Sequence, residues 1–238
     1  HTENIYLDYL DHIELPRVMK ILVRIDERSG RLNNNYYKDN FLNPVSCLLL
    51  AFMLTTGRRP EEARSLTWGQ FTPGGSARID LIKTKTSKKN QKTRFNLGDD
   101  ATNILNLISV DRLNNPESSF YYPIDDIRNK YIFPSKDYGR KLSNGKCKTP
   151  HVIDPAKTWA SILSMSGVDR HMKLHSTRHS FATNFYRVTK DIKALADALG
   201  TTEAQALKYA KLVGETVVAG INKIKFFNDE KPVLKQVN

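Results

Sequence analysis

The chain has 238 residues and a mass of 27.2 kDa, enough to bury a full core as one large domain or two small ones, which excludes a peptide or a fibre. Lys and Arg number 37 against 25 Asp and Glu, a net charge of +12 with a pI near 9.6, so the expected partner is a polyanion. The longest apolar run, 45–54, is about half of the ~20 residues a membrane-spanning helix needs, and two cysteines, Cys47 and Cys147, are too few for a disulfide framework, so a reducing, intracellular setting is expected.

The chain opens at His1 without an initiator methionine or a leader and reads as a fragment of a longer protein. Residues 13–28 place Val18, Ile21, Leu22 and Ile25 on one stripe of an amphipathic helix, with Pro16 in its first turn and Ser29-Gly30 as its end. The polar stretch 31–40 reads as a loop. From Pro44 the chain is apolar nearly all round to Leu54, the pattern of a buried helix, and Thr56-Gly57 closes it. A short helix is expected from Pro60, with Glu61 and Glu62 at the positive end of its dipole.

Residues 77–97 change period: Ile79 and Leu81, then a Lys/Thr/Ser/Asn stretch, then Phe95 and Leu97, which predicts two strands joined by a basic turn. The helical period returns over 99–113. Residues 114–152 are rich in Pro, Asn, Lys and Tyr, broken by Tyr131-Ile132-Phe133, and read as a long surface excursion. Four further helices are expected over 155–165, 176–188, 191–199 and 202–212, then an apolar stripe, Val217, Ile221, Ile224 and Phe227, before a polar end. The pattern is mainly α with a small antiparallel β-hairpin or sheet, an α+β domain spanning 1–238.

Four constellations carry chemistry. In Thr56-Gly57-Arg58-Arg59-Pro60-Glu61-Glu62 a buried helix turns on a glycine into a second helix, and an arginine on such a corner can clamp two phosphate oxygens with its planar fork. The bland alternative is a solvated arginine pair bonded to Glu61 or Glu62. In His175-Ser176-Thr177-Arg178-His179-Ser180-Phe181-Ala182-Thr183 the i, i+3 spacing puts His175 and Arg178 on one side of a helix N-terminus, whose free amides also favour an anion. His171, His175 and His179 are spaced by four, as metal ligands on a helix can be, but a third ligand two turns away diverges from a tetrahedral site, so no metal is expected. Residues 83–94 hold six basic side chains, Lys83, Lys85, Lys88, Lys89, Lys92 and Arg94, and no acid. Such a run is either a solvated hairpin tip or a contact to the backbone of DNA. The fourth, Leu199-Gly200-Thr201 through Lys208-Tyr209-Ala210, offers one tyrosine on a short helix.

Taken in this order the four resemble the catalytic domain of the tyrosine recombinases, the phage-type integrases. TGRRPEEARSLTW is similar to the family's first arginine box, KTKT to its lysine strand, HSTRHSFATNFY to its His-x-x-Arg box, and the segment from Leu199-Gly200 to Tyr209 to its nucleophile segment. The resemblance implies the tyrosine recombinase catalytic-domain fold, with a lead-in over 1–10, a catalytic core over 11–212 and a tail over 213–238 that docks on a neighbouring protomer. The family's N-terminal DNA-binding domains have no counterpart in these residues.

Carried over by resemblance, Arg59 and Arg178 clamp the scissile phosphate and His175 handles a proton. Lys85, in preference to Lys83, is the general acid, Tyr209 is the nucleophile, and Glu62 braces the first box. Lys83, Lys88, Lys89 and Arg94 are the expected DNA contacts. One departure stands out: after Leu-Gly the family usually has His or Trp, this chain has Thr201, and the spacing from there to Tyr209 is one residue shorter.

The chemistry is coherent without metal or cofactor. Phosphodiester transfer develops negative charge on the non-bridging oxygens, which fixed guanidiniums stabilise. A phenol with an ordinary pKa of ~10 needs positive surroundings or a base to attack, and the leaving 5′-oxygen needs a proton. The resemblance implies double-stranded DNA at specific attachment sites as substrate, a homotetramer on that DNA, accessory DNA-bending proteins as further partners, no membrane, and a place at the nucleoid in the cytoplasm of a bacterial host. Two alternatives stay open: a recombinase-like DNA-binding module that has lost its chemistry at Thr201, and relaxation of DNA in the manner of a type IB topoisomerase.

Overall fold

The computed structural model describes residues 8–81, 93–141 and 145–212. Its centre is helix α3, Pro44–Thr56. Asn43 caps it by accepting the Ser46 N–H at 3.0 Å, Pro44 opens it, and its residues from Val45 to Leu54 are all buried. A helix apolar on every side is stable only when neighbours cover every side. Here they are α1 (Glu14–Leu22), α4 (Pro60–Arg64), α5 (Asp99–Asn114), α6 (Ala156–Met165) and α7 (Ser176–Thr189).

Beside this bundle lies a three-stranded antiparallel sheet, in which β2 (Arg78–Leu81) pairs with both β1 (Phe71–Thr72) and β3 (Thr93–Asn96). The ladder of β2 and β3 keeps Ile79 opposite Phe95 and ends at Leu81 opposite Thr93. The expected pair of strands is present, and β1 adds a third that is too short to announce itself by alternation. A second, smaller apolar cluster joins α7, α8 (Ile192–Leu199) and α9 (Glu203–Leu212) through Ala182, Leu195, Ala196, Leu199 and Ala206.

Three expectations are corrected. Helix α1 stops at Leu22, not Arg28: the Tyr37 hydroxyl donates to the Leu22 carbonyl at 2.8 Å and accepts the Arg24 N–H at 3.0 Å, ending the helical ladder. Ile25 instead bridges Leu32 in extended pairing. The stretch expected as a loop contains α2, Asn34–Asp39 (between α1 and α3), capped by Asn33 and anchored by the buried Tyr37.

The supposed surface excursion is also partly core. Phe120, Ile132 and Phe133 are buried, the Phe133 ring lies 5.7 Å from Phe52 of α3, and the Ile132 N–H donates to the Leu66 carbonyl at 3.0 Å. Its Pro and Asn residues suit surface turns, whereas the short apolar run is pinned between them by tertiary contacts. Residues 8–11 dock on α7: Leu10, fully buried, donates its N–H to Ser180 Oγ at 2.7 Å, and its carbonyl accepts from Asn184 at 2.8 Å. Arg170 fixes the same segment through a two-pronged bond to Glu14 and a donation to the Tyr9 carbonyl at 2.6 Å. The stripe Val217, Ile221, Ile224 and Phe227 lies outside the described residues, and among those described no helix is long and apolar enough to cross a membrane.

Candidate active site

The site begins where α3 ends. Gly57 takes a left-handed conformation, φ 63°, and returns its N–H to the Met53 carbonyl at 2.9 Å. A Cβ there would stand 2.4 Å from Phe181 Cδ1 and 2.8 Å from Leu199 Cδ2, so glycine is what lets α7 and α8 pack on this corner. Arg59 caps α4. Its N–H donates to Glu62 Oε2 at 3.3 Å, and its Nη1 pairs with Glu62 Oε1 at 3.2 Å, which braces the guanidinium at the mouth of the site.

Its neighbour Arg58 is buried, 2% exposed. The alternative of a solvated arginine pair holds only in the bond of Arg59 to Glu62, while Arg58 is buried with no carboxylate bonded to it among the described residues. Its guanidinium stacks on the Phe95 ring of β3 at 4.3 Å and donates to the Ala198 carbonyl of α8. Burial pulls its pKa down to about 10, with Glu62 opposing, so it remains a cation at neutral pH.

Helix α7 starts immediately after His175, and Ser176, Thr177 and Arg178 of its first turn are buried. Arg178 reaches out of the helix to donate to the Gly57 carbonyl at 2.8 Å and the Leu199 carbonyl at 3.1 Å. It thereby ties the α3–α4 corner to the end of α8. Burial lowers its pKa, and Arg59 adds to the lowering. The nucleophile candidate on α9 lies in the surroundings of the buried arginine of the His-x-x-Arg box.

Two histidines complete the floor. The His175 ring lies 4.9 Å from that of His179, and His179 lies 5.5 Å from that of Tyr209, both edge to face. His179 Nδ1 is 3.3 Å from a carboxylate oxygen of Asp8, whose other oxygen accepts from the Ser176 hydroxyl. Burial lowers the pKa of His175 first, and Arg178 and Arg59 lower it further against Asp8, which favours the neutral imidazole. His171 lies before α7 and not on it, so the spacing by four does not describe one helix face. No cluster of three metal-ligating side chains occurs among the described residues.

Arg59, His175, Arg178 and Tyr209 are thus brought together from the α3–α4 corner, α7 and α9. Lys83, Lys85, Lys88 and Lys89 lie outside the described residues. Arg94, on β3, is exposed, and the run thought to lack an acid finds one across the sheet, with Arg94 Nε 2.8 Å from Asp80. The Thr201 hydroxyl donates to the Gln205 side chain one turn on. Sequence reasoning missed Arg58, Asp8 and the part of His179 as the ring between His175 and Tyr209. His179 was legible only as a member of its box, and nothing local distinguishes Arg58 from Arg59.

Comparison with known proteins follows the same lines. The sequence model of the phage integrase family matches residues 15–210. No curated protein matches the sequence closely enough to count as a relative. Among solved structures the chain is similar to the XerH site-specific recombinase bound to its difH substrate, with a TM-score of 0.55 at 19% identity over 85% of this chain and 50% of that one. It is similar to the XerA recombinase, with a TM-score of 0.57 at 16% identity over 90% of this chain and 62% of that one. It is similar also to the Tn1549 transposon integrase in complex with circular intermediate DNA, with a TM-score of 0.54 at 13% identity over 91% of this chain and 64% of that one. At these identities the likeness is one of fold, and the chain spans from half to just under two thirds of the length of these solved chains.

Proposed function

The chain belongs to the phage integrase family, and on that premise we propose that it is the catalytic part of a site-specific DNA recombinase, which cuts and rejoins DNA through a 3′-phosphotyrosine on Tyr209 and serves to integrate or excise a phage or another mobile element. The observation that carries this reading is the seat of Tyr209 against the His-x-x-Arg helix, its ring 5.5 Å from that of His179, which in turn meets His175 at 4.9 Å. Arg59 and Arg178 bind the non-bridging oxygens of the scissile phosphate, where charge grows in the transition state. Among the described residues, of Arg58, Arg59 and Arg178 only Arg59 is bonded to a carboxylate, that of Glu62, so the site holds an excess of positive charge that suits a phosphodiester gaining a second negative charge.

His175, whose neutral imidazole is favoured, can donate a hydrogen bond to a phosphate oxygen or accept the phenol proton. Lys85 protonates the leaving 5′-oxygen, and Lys83, Lys88, Lys89 and Arg94 add contacts to the DNA backbone. Rejoining reverses the attack, so the bond energy held in the phosphotyrosine suffices and no nucleotide is spent. The chain works as a homotetramer on double-stranded attachment sites in a bacterial cytoplasm, with accessory DNA-bending proteins and with the tail over 213–238 docked on a neighbouring protomer.

A second reading, a DNA-binding module with impaired chemistry, draws support from Thr201, whose hydroxyl is engaged by Gln205 where the resembled family carries His or Trp. Capture of a covalent adduct on a nicked DNA substrate in the presence of EDTA decides between the two. An adduct on Tyr209 supports the recombinase, and DNA binding without any adduct supports the module.

A further inference from the structure

Helix α8 ends in four carbonyls that no later turn of the helix can satisfy, those of Ala196, Asp197, Ala198 and Leu199. Two are met locally. Gly200, in the left-handed region at φ 61°, sends its N–H to the Asp197 carbonyl at 3.1 Å, and Thr201 sends its N–H to the Ala196 carbonyl at 2.9 Å, the paired bonds of a Schellman end. The other two are met from a distance by guanidiniums: Ala198 by Arg58 and Leu199 by Arg178. Every terminal carbonyl is accounted for, and half of them by two arginines from different parts of the chain.

These two arginines differ in what else they can do. Both are buried, at 2% and 3% exposure, but Arg178 belongs to the His-x-x-Arg box near Tyr209, whereas Arg58 is covered by the Phe95 ring of β3. Its Nε has no hydrogen-bond partner, and it has no ion pair among the described residues. A buried cation with so little electrostatic compensation costs stability that a leucine or methionine of similar volume would not. Such a residue calls for a reason beyond packing.

We propose that Arg58 is a positioning residue for the nucleophile: by holding the Ala198 carbonyl it fixes the end of α8, and with it the Gly200-Thr201 turn from which α9 and Tyr209 spring. This inference rests on the reading of Tyr209 as the nucleophile. Where Arg178 engages DNA, Arg58 is the anchor that the substrate cannot draw away, and its position one residue before Arg59 couples the phosphate clamp to the tyrosine helix through adjacent backbone. A shift of about 1 Å in a reacting group can slow a reaction by about a hundredfold, so a loosened α8 end is read most sharply in the cleavage rate.

The test compares wild type with Arg58→Met, Arg58→Gln and Arg58→Lys in three measurements: affinity for attachment-site DNA, single-turnover rate of covalent adduct formation on a nicked substrate, and backbone hydrogen exchange. Arg58→Met is expected to bind DNA within about twofold of wild type, to cleave roughly ten- to a hundredfold more slowly, and to exchange faster over 200–209 but not in α3 or α5. Arg58→Gln, which keeps a donor for Ala198 without the charge, and Arg58→Lys are each expected to recover part of both losses. Wild-type cleavage in Arg58→Met overturns the inference, as does a cleavage loss that tracks DNA affinity, or exchange that rises evenly through the domain. Should Arg58→Met not fold, the same comparison is made on the Gln and Lys variants, and an unchanged exchange at 200–209 in both overturns it. If no variant and no wild type forms an adduct, the nucleophile reading fails instead, while the exchange data still judge the anchor.

Discussion

The ring of Tyr209 stands edge to face against that of His179, their centroids 5.5 Å apart, and His179 in turn meets His175 at 4.9 Å. The tyrosine is therefore placed by a ring from the His-x-x-Arg helix. An aromatic pair of this kind is worth about 0.5–1.5 kcal/mol beyond its buried area, roughly two- to tenfold in a rate. His179→Ala is expected to slow adduct formation by about that factor without weakening DNA binding, and His179→Phe, which keeps the ring, to lose less. Equal losses in the two variants would assign the effect to the pairing of His179 with Asp8, not to the ring.

Gly57 carries two separable burdens, a left-handed backbone and a close approach to Phe181 and Leu199. Gly30 carries only the first, at φ 65° with open space around it. Gly30→Ala is expected to cost about 1–2 kcal/mol, and Gly57→Ala to add about 1–3 kcal/mol of overpacking to a similar backbone cost. Thermal or denaturant unfolding of the two variants measures the difference directly.

Arg59 and Arg178, the proposed phosphate clamp, should separate in stability while agreeing in activity. Arg178→Ala strips the Gly57 and Leu199 carbonyls of their donor, and each buried group left unpaired costs about 1–3 kcal/mol. Arg59→Ala removes a partly exposed ion pair, worth at most about 1 kcal/mol. Both are expected to slow DNA cleavage by about a hundredfold or more. Unfolding curves and single-turnover cleavage on the same preparations check the split.

Stability should fall on the acid side of neutrality. His175 has a native pKa held below its ordinary value, chiefly by burial. The unfolded chain takes up that proton near ~6.5, so the contribution is complete above that pH and is lost as the pH drops below it. Glu14 acts in the same direction at lower pH, because its bond to Arg170 depresses its pKa and its contribution disappears as the carboxylate is protonated. Melting temperature is expected to decline from neutral pH downwards. His175→Asn should flatten the first part of the decline and Glu14→Gln the second.

The parts of this architecture that were legible in the sequence are those fixed by neighbours in the chain. Asn43-Pro44 and Gly57 bracket α3 with a cap, a first-turn proline and a left-handed end, and both arginine boxes keep their spacing. What was hidden depends on residues far apart. Tyr37 ends α1 by bonding Leu22 and Arg24, and Ile132-Phe133 joins the core only through Leu66 and Phe52. Arg58 and Arg59 are the same residue type on the same corner, and only the packing of α8 and β3 against one of them decides which is buried and which pairs with Glu62.

On the proposed mechanism Tyr209 attacks a DNA phosphate held by Arg59 and Arg178. Incubating the protein with a nicked attachment-site duplex in EDTA, digesting it and sequencing the DNA-linked peptide measures this most directly. The expected result is a 3′-phosphotyrosine on the peptide spanning Ala206 to Lys211, with Tyr209→Phe binding the duplex normally and forming no adduct. An adduct on Tyr186, or unchanged adduct formation in Tyr209→Phe, would contradict it.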